Sequence, residues 1–285
     1  VQVSPVTKFH SGAGYQYEDS VIYGFTHTNK GHWNLCHIPL LPVTGTPTPG
    51  DYCSPFSHER ESAAPGYYQV FLDRYGVDAQ LSSTLRCAFH KYTYPAGAAA
   101  SLLADLQRSN EHVRAWDIRK EGDNVFAGWQ QTGEKMYFYA VANRPVTGIE
   151  PVVEGDREVR IVRFGEGDGA LELRIGFSFV SEKNARENLE AEMLGKSFAE
   201  VRSEATATWN DLLGRIRVEG GTEREKGLFY SSLYRSFLWP ALRSDVNGEF
   251  TDVDGKVINP GFRYYTGPSY WDDYRNKLIL LGMLA

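Results

Sequence analysis

The sequence predicts a mainly β fold, an antiparallel β-sandwich followed by helices. Two observations carry that prediction. Between residues 67 and 180 the apolar residues recur with period two, in short runs broken by Gly, Pro or Asn-Arg-Pro and with no helical crossover between most of them. At Ser181 the pattern turns over to good helix formers preceded by a capping residue.

The 285 residues suffice for one large domain or two small ones. Residues 1–60 read as loops around short strands, because Gly12, Gly14, Pro39, Pro42, Gly45, Pro47, Pro49 and Gly50 interrupt any long element. Within them, Tyr23 to His37 (YGFTHTNKGHWNLCH) forms a dense polar-aromatic loop. His27, Asn29, Lys30, His32 and Trp33 are candidate ligand-facing groups there, since binding residues concentrate on loops held by a rigid scaffold.

The strand runs are Tyr68–Asp73, Thr84–His90, Met136–Val141, Val159–Val162 and Leu171–Phe177. They contain no catalytic spacing and read as scaffold. Ser181 caps a helix running to about Glu192, and a second helix spans about Ser197 to Leu213. A short strand is expected at Ile216–Val218. Thr222 and Glu225 then form a capping box for a third helix ending near Pro240. The domain reading is a sandwich over 1–180, a helical linker over 181–240, and a further unit over 241–285.

The spacing Asp245-Asn247-Glu249 resembles a calcium loop only faintly: with Asp245 first, position twelve is Lys256 rather than a bidentate Glu. Asn247-Gly248 and Asp254-Gly255 are better read as tight turns. Near the C-terminus, Gly267-Pro268 opens a turn into Trp271-Asp272-Asp273-Tyr274-Arg275, followed by the apolar run Leu278–Leu281.

Composition excludes some partners. The net charge of −6 argues against nucleic acid and against an anionic membrane surface. No apolar run reaches the roughly 18 residues of a membrane span. Cys36, Cys53 and Cys87 are scattered without a CxxC, which disfavours a zinc cluster and leaves the compartment open. Aromatic content of 13%, led by 17 Tyr, suits carbohydrate faces and equally suits the packing of a large sandwich.

Several segments together are similar to glycoside hydrolase family 92. They include Tyr15–Asp19 with Ile22–Thr28, Ser57-His58-Glu59, Ala64–Tyr68, Tyr75-Gly76-Val77, Phe89–Pro95, Phe229–Arg235, Asp245–Gly248, Tyr264-Tyr265-Thr266 and Trp271–Arg275. They occur in order along nearly the whole chain. The resemblance implies a calcium-dependent, inverting exo-α-mannosidase: a β-sandwich, linker helices, and an (α/α)6 barrel of which 241–285 would be the beginning. It implies that the chain starts after a Gly/Pro-rich segment of the family and stops about one barrel helix in. The acid, the base and most calcium ligands would then lie beyond it.

Inverting hydrolysis sets its acid and base carboxyls roughly 6.5–9.5 Å apart. Asp272 and Asp273 are adjacent and would point about 100° apart on a helix, so they do not form that pair. Asp272 resembles the family aspartate that accepts hydrogen bonds from mannose hydroxyls; the other reading is a helix cap. Trp271 beside it, with His27, Asn29, Lys30, His32 and Trp33, completes the expected substrate contacts, and Asp273 and Arg275 are expected to be structural. No catalytic residue and no metal ligand is assigned within the chain.

The sequence departs from the family's pattern in two places. Asn29–Asn34 replaces a small Gly-rich loop, and Phe9 and His10 stand where an upstream tryptophan would serve as a sugar platform. Both departures bear on linkage and leaving group, and Lys30 with His32 would suit a phosphate-bearing mannose. The expected partners are a mannose-containing oligosaccharide or N-glycan and the protein's own barrel, and the resemblance favours a secreted, periplasmic or surface location. Two other readings stay open: a non-catalytic carbohydrate-binding or structural module, and another barrel-linked sandwich hydrolase or phosphorylase.

Overall fold

The computed structural model describes residues 1–30, 33–167, 169–266 and 270–284, without the side chains of Lys30, Tyr270 and Asp272. Its centre is a two-sheet sandwich. The six-stranded sheet orders Ser4–Val6, Gly24–Thr26, Leu40–Val43, Ser101–Ala104, Arg157–Phe164 and Val146–Glu154. The eight-stranded sheet orders Ala115–Gly122, Val125–Gln131, Lys135–Ala142, Leu171–Ser178, Cys87–Thr93, Val77–Ser83, Tyr67–Leu72 and Glu61–Ala64. Neighbouring strands in both sheets run antiparallel.

Period two becomes burial directly. In Lys135–Ala142, Met136, Phe138, Ala140 and Ala142 are buried while the residues between them are half-buried. One continuous core joins the sheets, from Phe25, Leu40 and Tyr92 through Leu102 and Phe138 to Ile161, Leu173 and Ile175.

Several strands were not legible as period-two runs, each for a physical reason. Ser101–Ala104 is buried on both faces, so it shows no alternation. Val125–Gln131 contains Gly128, where a Cβ would fall 2.1 Å from the Asp117 carbonyl oxygen of the neighbouring strand. Val146–Glu154 lies at the sheet edge, the position that tolerates its Pro151.

Two expectations need correction. The run beginning at Thr84 becomes a strand only at Cys87, because Thr84 N donates to Cys87 O (2.9 Å) and closes a turn with Leu85 exposed. Ile216–Val218 is not a strand, since no neighbouring chain segment among the described residues pairs with it.

Helix α1 (Glu182–Glu192) is capped by Ser181, whose side chain accepts from Asn184 N, and it lies on the outer face of the eight-stranded sheet. Gly176 permits that contact: a Cβ there would fall 2.1 Å from Ala185 O. This is why Gly176 and Ser178, on the outer face of their strand, are buried. Helix α2 (Phe198–Leu213) and helix α3 (Glu223–Phe237) each open on a complete capping box, Ser197/Glu200 and Thr222/Glu225. Phe198 and Val201 of α2 join Phe89, Leu189 and Met193 in a second, smaller core beneath the helices. A small hairpin, Phe250–Thr251 with Val257–Ile258, turns through Asp252–Gly255. Helices α4 (Tyr270–Asp273) and α5 (Lys277–Leu284) follow.

Candidate functional site

The polar-aromatic loop folds as a short hairpin. Asn29 pairs with Asn34 and Lys30 with Trp33, at the end of the Gly24–Thr26 strand. Asn34 organises its base: Oδ1 accepts from Thr26 Oγ1 (3.1 Å) and Cys36 N (2.8 Å), and its backbone N–H donates to Gly12 O. Asn110 Nδ2 donates to Asn34 O (2.6 Å), and Asn110 Oδ1 accepts from His10 N (2.5 Å), so three loops are tied together. His10, Cys36 and Ile38, the non-glycine residues with left-handed φ (57°, 54° and 52°) among those described, all flank this base. Such conformations cost roughly 1–3 kcal/mol each and persist only where surrounding contacts enforce them.

The structure places the expected sugar contacts very differently from one another. His27 is fully buried. Its Nε2 lies 3.1 Å from Nε2 of His90, whose Nδ1 is 2.5 Å from Tyr92 Oη, and its ring packs on Phe177. Burial pushes His27 down to about 3 and His90 well below its ordinary value, so both rings are neutral near pH 7. Trp33 stands 56% exposed on the hairpin. His32 and the side chains of Lys30 and Asp272 lie outside the described residues, as does the turn at Gly267-Pro268.

Trp271 is 86% exposed. Asp273 is buried with Oδ1 3.1 Å from Lys277 Nζ, and Arg275 donates to Tyr274 Oη (2.9 Å). Phe9, at the expected platform position, lies 5.2 Å from the Arg108 guanidinium and edge-on to Tyr23, inside an aromatic cluster that Tyr52 completes.

A groove of about 1460 Å³ separates the end of the sandwich from the helices. The hairpin side contributes His27, Thr28 and Asn29, and the helical side contributes Trp209, Tyr234 and Trp239. Trp209 and Tyr234 pack at 4.6 Å and tie α2 to α3. Two residues that sequence reasoning missed, Glu111 and Thr132, meet the last histidine of the loop beside this groove. His37 Nδ1 is 2.8 Å from Thr28 Oγ1, and its Nε2 is 3.0 Å from Glu111 Oε2 and 3.1 Å from Thr132 Oγ1. Thr132 Oγ1 donates to Glu111 Oε2 (2.7 Å). Glu111 and Thr132 lie 74 and 95 positions from His37, a separation that leaves no local signal.

Asp245 anchors the helical side. Its carboxylate accepts from Ser178 Oγ (2.6 Å), Asn184 Nδ2 (2.9 Å) and Asn188 Nδ2 (2.7 Å), and burial pushes its carboxyl up against those hydrogen bonds. Arg86 reinforces the junction through Glu192 (2.6 Å) and Ser244 O (2.7 Å).

These donors leave little for calcium. Asp245 is engaged by neutral side-chain donors, and Asp252 Oδ1 accepts from Asp254 N and Lys256 N within its own turn. Among the described residues, no three His, Cys, Asp or Glu side chains converge as a metal would require. Among the described residues, those present do not fit a calcium site.

Comparison with known proteins agrees with this fold. A curated protein of Arthroderma benhamiae named an uncharacterized secreted glycosidase is 24% identical over 87% of the chain. A family GH92 α-mannosidase from Bacteroides thetaiotaomicron superposes over 98% of the chain with a TM-score of 0.90 and 26% identity. A family GH92 inverting mannosidase from the same organism does so over 98% with a TM-score of 0.85 and 25% identity. The chain spans 38%, 43% and 41% of these relatives' lengths. Residues 1–188 match the glycosyl hydrolase family 92 N-terminal domain and residues 184–285 the family's catalytic domain, the two meeting within helix α1. The chain belongs to glycoside hydrolase family 92.

Proposed function

We propose that this chain is the N-terminal part of an exo-acting α-mannosidase that hydrolyses terminal α-mannosides with inversion. The observation that carries this reading is the likeness to a solved α-mannosidase across both the sandwich and the helices that follow. In this reading the chain supplies sugar contacts: Asp272, beside Trp271, holds mannose hydroxyls, and Asn29 with the hairpin reaches the groove. Asp273, buried against Lys277, keeps a structural role. The acid that protonates the leaving oxygen and the base that activates water belong to other residues of the parent protein, as does any calcium site. The substrate is a mannose-containing oligosaccharide or N-glycan. A secreted, periplasmic or surface location fits the secreted relative, and no described helix is long and apolar enough to cross a membrane.

The test is to incubate the parent protein with α-1,2-, α-1,3-, α-1,4- and α-1,6-mannobiose and follow the released anomer by proton NMR. β-Mannose should appear first, because a single displacement inverts the anomeric centre. Initial α-mannose would refute inversion. Binding of mannose with no turnover of any linkage would instead favour a non-catalytic module, and mannosyl-phosphomannose belongs in the same panel.

A further inference from the structure

A second cleft opens away from the groove, and the two share no lining residue. It encloses about 520 Å³ between the edges of the two sheets, within the roughly 300–1,000 Å³ of a small-ligand site. Ala115–Gly122, an edge strand of the eight-stranded sheet, supplies Trp116. The turn after Val146–Glu154, an edge strand of the six-stranded sheet, supplies Asp156. The groove instead takes Ser4, Ala63 and Ala64 from the strands at the opposite edges.

Its charges set this cleft apart. Arg114 is the one arginine of residues 1–180 whose guanidinium has no carboxylate, hydrogen bond or aromatic ring against it among the described residues. Asp156, exposed on its turn, likewise has no hydrogen bond or ion pair among them. The two line the same cleft yet do not pair with each other.

The walls around them are fixed. Arg157 donates to the buried Asp105 (2.6 Å) and to Pro49 O (3.0 Å). Gln107 Oε1 accepts from Glu158 N (2.8 Å), which leaves the amide NH2 of Gln107 as its uncommitted donor. Trp116 packs against the main core with the Arg160 guanidinium 5.4 Å from its ring, and Glu158 holds Arg160 in turn (2.7 Å). Side chains locked in this way lose little freedom when a ligand arrives.

We propose that this edge cleft is a binding site for a neutral pyranose, separate from the groove. A hydroxyl both donates and accepts, so one sugar ring uses Asp156 as acceptor and Arg114 and Gln107 as donors. The indole of Trp116 supplies apolar surface for the C–H face of the ring. A simple anion would meet Asp156, and a simple cation would meet Arg114. The proposal goes beyond the mannosidase reading and stands without it; combined with it, the cleft anchors a glycan apart from the bond being cleaved.

Calorimetric titration of the parent protein with methyl α-mannoside, methyl α-glucoside and methyl α-galactoside tests the site. Arg114→Ala and Asp156→Ala, both at exposed positions, should each weaken binding of at least one of these sugars at one site about tenfold. The double variant should bind one molecule fewer than the wild type. Its unfolding midpoint and its kcat/KM on p-nitrophenyl α-mannoside should stay at wild-type values. Unchanged stoichiometry with all three sugars would overturn the site, as would binding there of glycine or acetate in place of the sugars. A parallel fall in kcat/KM would overturn its separateness from the groove. If the wild type cleaves no mannoside, the mannosidase reading fails, and the change in stoichiometry still decides the cleft.

Discussion

The sandwich and the helices after it solve the problem of burial in opposite ways. The two sheets close on each other, and Phe25, Tyr92, Phe126 and Phe138 are fully buried between them. Along the helices burial declines: α1 buries four residues against the sheet, α2 buries Phe198 and Val201, α3 buries only Leu233, and α5 buries none of its described residues. Leu228, Trp271, Ile279 and Met283 are 60%, 86%, 63% and 77% exposed. The sandwich therefore draws its stability from nonlocal packing. The outer helices rely more on local devices, the capping boxes and i,i+3 or i,i+4 ion pairs such as Glu223–Lys226 and Asp211–Arg215. The groove lies where these two regimes meet.

Substitutions should reproduce this division. Phe138→Ala empties the centre of the sandwich and should cost about 3–5 kcal/mol in denaturant unfolding, whereas Ile279→Ala in α5 should stay within about 0.5 kcal/mol. Comparable losses would end the distinction between the regions. Asp245→Ala strands the buried donors of Ser178, Asn184 and Asn188 and should cost on the order of 3 kcal/mol. Limited proteolysis should then open 243–266 before the sandwich, and simultaneous cleavage of both would show that the junction is not separable.

Acid should distinguish the regions by sign. His27 is held at about 3 in the fold against 6.5 as its ordinary value, so between those values the unfolded chain binds the extra proton. Stability from the neutral His27–His90 pair is complete above about pH 6.5 and falls as pH drops toward 3, by up to about 1.4 kcal/mol per pH unit for His27. Asp245 is shifted upward from 3.8, so the fold binds its proton more tightly, and its contribution diminishes as pH rises through that value. Unfolding curves from pH 7 to 4 should show the sandwich weakening, and replacing His27 and His90 together by Gln should flatten that dependence. Ser197→Ala should cost about 1 kcal/mol, less than any of the buried substitutions, confined to the first turn of α2 and readable by amide exchange.

Where local chemistry decides the outcome, the sequence was readable. Ser181, Ser197 and Thr222 cap the helices they announce, and Asp254-Gly255 turns the small hairpin. The alternation in Lys135–Ala142 is the burial pattern itself. Family membership was also legible, because motifs such as Ile22–Thr28 and Trp271–Arg275 keep their order along the chain. The site was legible only in part. Asn29 and His27 both line the groove, and the composition of the loop gave no sign that His27 would also lie against the buried His90.

The sequence by itself determined the fold class, the helix starts and the turns, since period two, capping oxygens and glycine dihedrals act within a few residues. Tertiary structure alone decided which loop residues face the groove and which enter the core, how Glu111 and Thr132 meet His37, and how Asp245 joins helix to sheet. Those contacts bridge 57 to 95 positions of chain, and only the closing of the two sheets brings them within hydrogen-bonding distance.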